Sequence, residues 1–299
     1  MLFFSISFKR NNFENDDWGK LKRTLGLNEL QTTNYKPQTS FLFQKTFAEK
    51  VTEIVKQDPA VIGLAVGGSW ISQEMDEYSD LDLILVTTEK IGNDKEKMLA
   101  YARRFGDLIS GFTGEHVGEP RLLICLYDDP LLHVDIKFLT LQEFDSRVEN
   151  PVILFERDKQ LSSIIRSTIA AWPQPDFQWI EDRFWTWVHY ACLKIGRGEL
   201  MEAFDFLSFL RMTVLSPLLQ VKNEKQPRGL RRVETELSLP DLENLKITIA
   251  AYNRKSIIKA LENAVSIYRS ARRKLFPSMV VLQVRTEQKV MEYLKTLKR

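Results

Sequence analysis

The sequence predicts an α+β protein, in which a small mixed or antiparallel sheet with flanking helices is followed by a bundle of α-helices. Two observations support this prediction. Between about residues 60 and 157, short apolar runs are bounded by turn residues, as is typical of strands. From about residue 158 onward, apolar residues repeat at the spacing of a helix. We therefore expect a first domain at residues 41–157 and a helical domain at residues 158–299.

The N-terminal 40 residues show no sustained hydrophobic periodicity and are interpreted as an extension, residues 1–40, of uncertain fold. Their apolar start lacks a basic segment and a small-residue cleavage site, so it does not fit a signal peptide. From Phe41 to Lys56 the apolar spacing becomes helical. The Asp58-Pro59 pair ends this helix, because the residue before a proline avoids the α region.

The rest of the first domain is predicted from apolar runs and the turns between them. A Gly-Gly-Ser turn follows the first run, and an Asp-Asp-Pro turn between two later runs is typical of a hairpin. The predicted elements are a strand and turn at 60–70, a strand at 80–88, a capped helix at 93–109, strands at 121–128 and 131–140, and a short strand at 151–157.

Helices dominate the predicted second domain. Apolar residues recur every three or four positions, and capping residues or prolines separate the segments. The predicted helices cover 176–195, 198–220 with an end near Pro217, 239–252, 255–276 and 287–299.

Composition excludes several classes of protein. The 299 residues carry a net charge of +2, with 44% hydrophobic and 27% charged residues, as in an ordinary soluble protein. This charge argues against a nucleic-acid partner, and no uncharged apolar run approaches the roughly 20 residues of a membrane helix. Cys125 and Cys192 lie in apolar runs without metal or disulfide spacing, which fits buried thiols in a reducing cytoplasm.

Two acids stand in an otherwise apolar strand, "DLDLILVTT". Because side chains alternate along a strand, Asp80 and Asp82 project to the same side. A third acid, Asp135, lies in the apolar run "LLHVDIKFLT". If the two strands are neighbours, three carboxylates converge, and a hard divalent cation such as Mg²⁺ resolves their repulsion. The sequence thus predicts Asp80, Asp82 and Asp135 as metal ligands.

The turn before this strand is suited to phosphate. Gly67 and Gly68 let the backbone approach a ligand closely, and Ser69 offers a hydroxyl group beside backbone N–H groups. A phosphate-binding turn next to a metal-binding acid pair indicates phosphoryl or nucleotidyl transfer.

The motifs "GGSW…SDLDLILV" and "HVDIKF" together resemble the DNA polymerase β-like nucleotidyltransferase superfamily, and most closely its antibiotic nucleotidyltransferase branch. By this resemblance the first domain is the catalytic domain and the helical domain binds the acceptor. Gly68 and Ser69 would hold the triphosphate of an NTP, Asp80 and Asp82 would bind Mg²⁺, with two ions expected, and Asp135 would complete the site or help deprotonate the acceptor. This chain departs from many relatives after the Gly-Ser pair, where an acidic segment starting at Trp70 replaces Arg or Gly.

Cationic side chains are further candidates for the nucleotide. Lys137 shares the strand face of Asp135 and is expected to reach the triphosphate. Arg228, with Arg231 and Arg232 in "PRGLRR", suits phosphate recognition, although a solvated basic loop explains the same pattern equally well.

Other candidates come from the helical domain and from histidines. Antibiotic-type relatives often use a carboxylate of the helical domain, which makes Glu202 a candidate base or acceptor ligand; a favourable position at a helix start is the alternative. His133 shares the face of Asp135, but a rim position is favoured. The helical stripe of Trp179, Trp185 and Trp187 is interpreted as mainly core rather than a stacking surface.

Three functional hypotheses remain. The first is Mg²⁺-dependent transfer of a nucleoside monophosphate, expected to be AMP from ATP, to a hydroxyl of a small acceptor such as an antibiotic, with release of pyrophosphate. The second has a protein or RNA acceptor. The third is a non-catalytic nucleotide-binding module. We expect a cytoplasmic monomer or homodimer without a membrane partner.

Overall fold

The computed structural model describes residues 41–298, so the predicted extension at residues 1–40 lies outside the described part of the chain. Six strands form one sheet in the order β3-β4-β5-β2-β1-β6. Strands β2 and β5 pair in parallel, and the other neighbours are antiparallel. The strands are β1 Val61–Val66, β2 Leu81–Thr87, β3 Leu108–Gly114, β4 Glu119–Tyr127, β5 Leu132–Leu139 and β6 Val152–Glu156.

Four helices accompany the sheet, α1 Leu42–Lys56, α2 Lys95–Phe105, α3 Leu141–Asp145 and α4 Gln160–Ser167. One core cluster joins the sheet to α1 and α2, through side chains such as Val51, Met98 and Leu85. A smaller cluster joins the sheet to α3 and α4 through Phe144 and Leu161. The central strand β2 is therefore covered on both faces and fixes the residues at its start.

The remainder of the described chain is helical: α5 Phe177–Arg197, α6 Leu200–Leu210, α7 Ser216–Lys222, α8 Val233–Glu236, α9 Leu239–Lys246, α10 Arg254–Leu275 and α11 Val284–Thr296. These helices share one hydrophobic core that contains Phe184, Trp185 and Tyr268. The prediction of an α+β fold with a mixed sheet followed by helices is confirmed.

A buried carboxylate lies inside this helical core. Glu181 is fully buried and accepts hydrogen bonds from Tyr268 and from the Trp185 ring nitrogen at 3.2 Å. Arg272 pairs with it at 3.1 Å, and the Gln283 backbone N–H donates to it at 2.9 Å. A buried charge is tolerated when it is paired and hydrogen-bonded in this way.

The sequence misplaced the boundary between α2 and the next element. The predicted helix at 93–109 ends at Phe105, and Leu108–Gly114 forms strand β3 instead. This strand is at the edge of the sheet, where Ile109 and Phe112 remain about half exposed. Its apolar residues, Leu108, Ile109 and Phe112, do not alternate with polar residues, so the sequence lacks the pattern that identifies a strand with one buried face.

The helix predicted to end near Pro217 continues to Lys222. A π-helical turn, Arg211–Leu215, connects α6 to α7, and Pro217 lies in the first turn of α7. The chain is helical on both sides of Pro217. In the π-helical turn the Ser216 N–H donates to the Arg211 carbonyl oxygen, and this change of hydrogen-bond register just before the proline accommodates it. The stretch Leu200–Lys222 is long and apolar enough to cross a membrane, a test that buried core helices also pass, and half of its most apolar window is buried.

Three short helices and one helix end also differ from the prediction. Helices α3, α4 and α8 were not predicted, although Thr140 and Glu143 form a capping box at the start of α3. The helix predicted at 239–252 ends at Lys246. Segments of eight residues or fewer carry too little periodicity to identify a helix.

Candidate active site

Three carboxylates meet at the start of the two parallel strands. Asp82 of β2 lies directly opposite Asp135 of β5 in the strand register. Asp80 immediately precedes β2, and one oxygen from each of the three side chains lies within 4.8 Å of the others. The structure thus brings together the three acids that the sequence selected, because β2 and β5 are neighbours.

Burial and mutual repulsion disfavour the ionised form of these acids. Desolvation, followed by the charges of Asp80 and Asp135, raises the pKa of Asp82 to about 6. Desolvation also raises the pKa of Asp135, while the neighbouring His133 opposes this shift. Carboxylate oxygens that repel one another at this distance fit a divalent cation such as Mg²⁺, whose charge would offset the repulsion.

His133 contacts the cluster from its rim. Its Nε2 atom lies 3.0 Å from Asp135 Oδ1, and half of its side chain is exposed. His133 therefore lies at the rim of the acid cluster, as predicted, and also contacts one of its acids directly.

The glycine turn is locked to the acids by its backbone. The Gly67 N–H donates to the Asp82 carbonyl oxygen at 2.9 Å, and Gly68 begins a short 3₁₀ turn with φ of +60°. A Cβ atom at Gly68 would lie 2.0 Å from Asp82 Oδ2. Only glycine combines this left-handed backbone with such a close approach.

A fourth carboxylate, Glu149, reaches the same turn and was not predicted. Its Oε1 atom accepts a hydrogen bond of 2.8 Å from the Gly68 N–H, and its charge helps to raise the pKa of Asp82. Glu149 lies in the loop before β6, 81 residues from Gly68 in sequence. No local pattern marks such a contact.

Two clefts flank the acid cluster, and both are lined by Ser69, Arg231 and Arg232. The first cleft measures about 700 Å³ and is lined by the glycine turn, Asp82, Asp135 and several cations. The second cleft measures about 710 Å³ and contains Asp80, His133, Glu77, Tyr78 and Phe43. The cations of the first cleft are Lys137, Arg147, Lys225, Arg228, Arg231 and Arg232.

Residues 225–232, here called the arginine loop, extend from the helical part to the first cleft. Arg231 is the cation that partly offsets the raised pKa values of Asp82 and Asp135. Arg228 places its guanidinium 4.8 Å from the ring centre of Trp172, another cleft residue. The structure therefore brings the predicted Arg228 to the cleft and adds Trp172, which the sequence analysis overlooked.

Lys137 lines the first cleft, as its strand position predicted, but its charge is already paired. Its ammonium group lies 2.7 Å from Glu119, which also binds Arg121. These cations, Arg121 first, lower the pKa of Glu119 to about 2. The pairing leaves Lys137 less available to a phosphate than Arg228 and Arg231 of the loop, which are in no such ion pair among the described residues.

Glu202 is not brought to the acid cluster. Its carboxylate accepts a hydrogen bond from Tyr190 and pairs with Lys194 at 2.9 Å, and it lines neither cleft. These partners lie on helix α5. The geometry thus gives no support to Glu202 as a base.

The tryptophan stripe of α5 follows the core interpretation in part. Trp185 is buried, whereas Trp179 is 40% exposed and packs edge-on against Trp187 at 5.4 Å. None of the three lines either cleft beside the acids.

Both cysteines of the described chain are buried, as the sequence predicted. Burial raises the pKa of the Cys125 thiol and of the Cys192 thiol to about 12.

Sequence and structure comparisons place these features in a family. A family model described as streptomycin adenylyltransferase matches residues 43–297. A search of curated proteins finds no match to this chain.

The solved structures that resemble this chain at low identity include the following three. An aminoglycoside 6-adenyltransferase from Bacillus subtilis is 15% identical, with 85% of this chain and 98% of that chain covered and a TM-score of 0.36. A nucleotidyltransferase-like protein from Exiguobacterium sibiricum is 10% identical, with coverages of 85% and 89% and a TM-score of 0.38. A spectinomycin adenyltransferase from Enterococcus faecialis, solved with ATP and spectinomycin, is 13% identical, with coverages of 85% and 99% and a TM-score of 0.28.

The resemblance inferred from the glycine turn and the three acids is confirmed by the family match, which spans nearly all of the described residues. The chain is therefore a nucleotidyltransferase that belongs to the streptomycin adenylyltransferase family.

Proposed function

We propose that this chain transfers AMP from ATP to a hydroxyl group of a small acceptor, with release of pyrophosphate. The observation that carries the proposal is the convergence of Asp80, Asp82 and Asp135 within 4.8 Å, next to the glycine turn. The family match supports an aminoglycoside as the acceptor.

The acid cluster fits Mg²⁺, because its oxygens are close together and burial disfavours their free charge. Asp80, Asp82 and Asp135 would hold the metal, and we propose two ions. Bound Mg²⁺ supplies charge neutralisation to the triphosphate and lowers the pKa of oxygen nucleophiles. All other steps of the mechanism are assigned to residues of this chain.

The triphosphate is proposed to lie between the glycine turn and the arginine loop. Backbone N–H groups at Gly68 and Ser69 would donate to phosphate oxygens, and Glu149 must leave the Gly68 N–H for this to occur. Arg228 and Arg231 would supply positive charge in the first cleft.

The acceptor is proposed to approach through the second cleft, which is lined by Asp80 and by His133, the residue that contacts Asp135. Its hydroxyl oxygen would attack the α-phosphorus while the bond from that phosphorus to the bridging oxygen breaks. The hydroxyl proton would pass to the Asp135 carboxylate, and the electron pair of the broken bond would leave with pyrophosphate. Glu77 and Asp80 would favour a cationic acceptor in this cleft.

The proposal is tested with Asp80→Asn and Asp82→Asn, measured by pyrophosphate release and by transfer of label from ATP to streptomycin. We expect each variant to lose about a thousandfold or more in activity while its circular dichroism stays unchanged. Asp205→Asn, an exposed carboxylate on α6, is the matched control and should keep wild-type activity. Transfer that survives both substitutions at the cluster would contradict the proposal.

The acceptor class is tested separately by incubating the wild-type protein and labelled ATP with a cell lysate. Label on a small acceptor supports the proposal. Label on protein or RNA bands, together with no transfer to streptomycin or related aminoglycosides, would favour the macromolecular acceptor instead.

A further inference from the structure

An ion pair joins the segment after the glycine turn to the arginine loop. Arg232 of the loop donates to the Glu74 carboxylate, although the two residues are 158 positions apart. The hydrogen bond from Arg232 lowers the pKa of Glu74. Both residues line the first cleft, so the pair connects the two segments within it.

Glu74 is also connected to the turn itself. Its backbone N–H donates to the Ser69 carbonyl oxygen at 3.1 Å, and the Ser72 hydroxyl donates to Glu74 Oε2 at 2.9 Å. The carboxylate that binds Arg232 is therefore held by the same short segment that forms the phosphate turn.

The backbone of the arginine loop is also held by a residue of the helical core. The buried Gln220 side chain accepts from the Arg228 N–H at 2.8 Å and donates to the Arg231 carbonyl oxygen at 2.9 Å. Arg232, the next residue, has a left-handed backbone with φ of +58°. A non-glycine residue keeps this conformation when its surroundings hold it there.

Arg231 is thus held by two adjacent attachments: Gln220 binds its own carbonyl oxygen, and the next residue, Arg232, binds Glu74. It lines both clefts and acts on the charges of Asp82 and Asp135. A cation in this position would face the triphosphate, whereas the Arg232 guanidinium is already bound to Glu74.

We propose that Glu74 is a positioning residue that binds Arg232 and thereby holds Arg231 at the phosphate turn. The inference rests on the proposed function, because it assigns Arg231 to the triphosphate of ATP. It also gives a role to the acidic segment that replaces Arg or Gly after the Gly-Ser pair. In this chain the cation comes from the arginine loop, and the acidic segment supplies its anchor.

Glu74 and Arg232 are 55% and 37% exposed, and exposed ion pairs contribute little to global stability. Their loss should therefore change ligand binding more than it changes the unfolding temperature. We expect an effect of about threefold to tenfold on the dissociation constant of Mg·ATP, as expected for one misplaced cation.

The test is a charge exchange. Glu74→Arg, Arg232→Glu and the double variant are compared with the wild-type protein by calorimetric titration with ATP in MgCl₂, and by thermal unfolding without nucleotide. Each single variant should bind Mg·ATP about threefold to tenfold more weakly, with little change in unfolding temperature. The double variant, which restores the pair in reverse, should return to within about twofold of wild type.

Glu292→Gln is the matched control, since it removes an exposed ion pair with Lys289 on helix α11 and touches neither cleft. It should bind Mg·ATP like the wild-type protein.

Three outcomes would overturn the inference. If Glu74→Arg binds Mg·ATP as tightly as wild type or more tightly, the added positive charge alone decides the affinity and Glu74 does not position the loop. If the double variant binds no better than the weaker single variant, the pair is not the cause. If the wild-type protein itself fails to bind Mg·ATP, the proposed function fails and this inference fails with it.

Discussion

Asp82 is the residue at which the conflict between burial and charge is greatest. In the folded protein without metal its pKa is raised to about 6, whereas the ordinary value is 3.8. The ionised carboxylate therefore destabilises the folded state at neutral pH. This penalty is complete above about pH 6, decreases as the pH falls through the folded pKa, and disappears below the unfolded pKa.

Replacement of Asp82 by asparagine should remove this penalty. We expect Asp82→Asn to raise the free energy of unfolding of the metal-free protein by about 1–3 kcal/mol at about pH 7.5, and by progressively less below about pH 6. Urea unfolding in a chelator at several pH values measures the effect. A difference that does not depend on pH would contradict it, and Asp205→Asn again serves as the control.

Glu149 presents a related conflict, because its carboxylate occupies the Gly68 N–H that a phosphate oxygen would need. Removal of its charge should make binding of an anionic ligand easier. We expect Glu149→Gln to bind Mg·ATP about threefold to tenfold more tightly in calorimetric titration, an effect on the order of 1 kcal/mol. Weaker binding would instead indicate that Glu149 contributes to the metal site.

At the scale of elements, the position of the glycine turn depends on strand β2, because the Gly67 N–H donates a hydrogen bond to the Asp82 carbonyl oxygen. Gly68 and Gly198 both have left-handed backbones, but a Cβ atom would meet Asp82 at Gly68 and nothing within 4 Å at Gly198. Alanine at Gly198 would therefore show the cost of backbone strain alone, whereas alanine at Gly68 would add damage to the acid cluster.

We expect Gly198→Ala to cost about 1–2 kcal/mol of stability and to leave activity unchanged. Gly68→Ala should have a similar backbone cost and should also displace the Asp82 carboxylate, with a loss of about a hundredfold or more in AMP transfer. Activity at saturating substrate and urea unfolding distinguish the two effects. Equal activities of the two variants would show that the close approach at Gly68 is not needed.

The elements best predicted from the sequence were those with a strong local pattern. Strands β2 and β5 were recognised from apolar runs that carry Asp82 and Asp135, and their convergence was expected only if they were neighbours. Strand β3, at the sheet edge, was missed because its apolar residues do not alternate with polar residues. Pro217 was wrongly interpreted as the helix end, because a π-helical turn just before it shifts the hydrogen-bond register and lets the helix continue.

At the scale of the whole molecule, the sequence could not reveal contacts between distant segments. Gly68 meets Glu149 across 81 residues, and Glu74 meets Arg232 across 158 residues. Such pairs depend on how the helices pack, which no local periodicity encodes. Glu202, selected from the resemblance to antibiotic-type relatives, pairs with Tyr190 and Lys194 on α5, contacts that likewise follow from helix packing.

The division of the chain at residues 157 and 158 stays a prediction. Helix α4 begins just after this position, yet its Leu161 packs into a cluster with sheet residues. The long helices from α5 onward share a separate core. The arginine loop crosses from that second core to the acids, so the proposed active site needs both parts of the chain.

The parallel pairing of β2 and β5 has a consequence for how this enzyme can change. Adjacent strands are held about 4.8 Å apart by backbone hydrogen bonds, so the spacing of Asp82 and Asp135 follows from the sheet and not from side-chain flexibility. Both strands are internal to the sheet, where local opening is rarest. Reaction geometry should therefore persist until global unfolding, while the loops around the clefts remain free to evolve toward new acceptors.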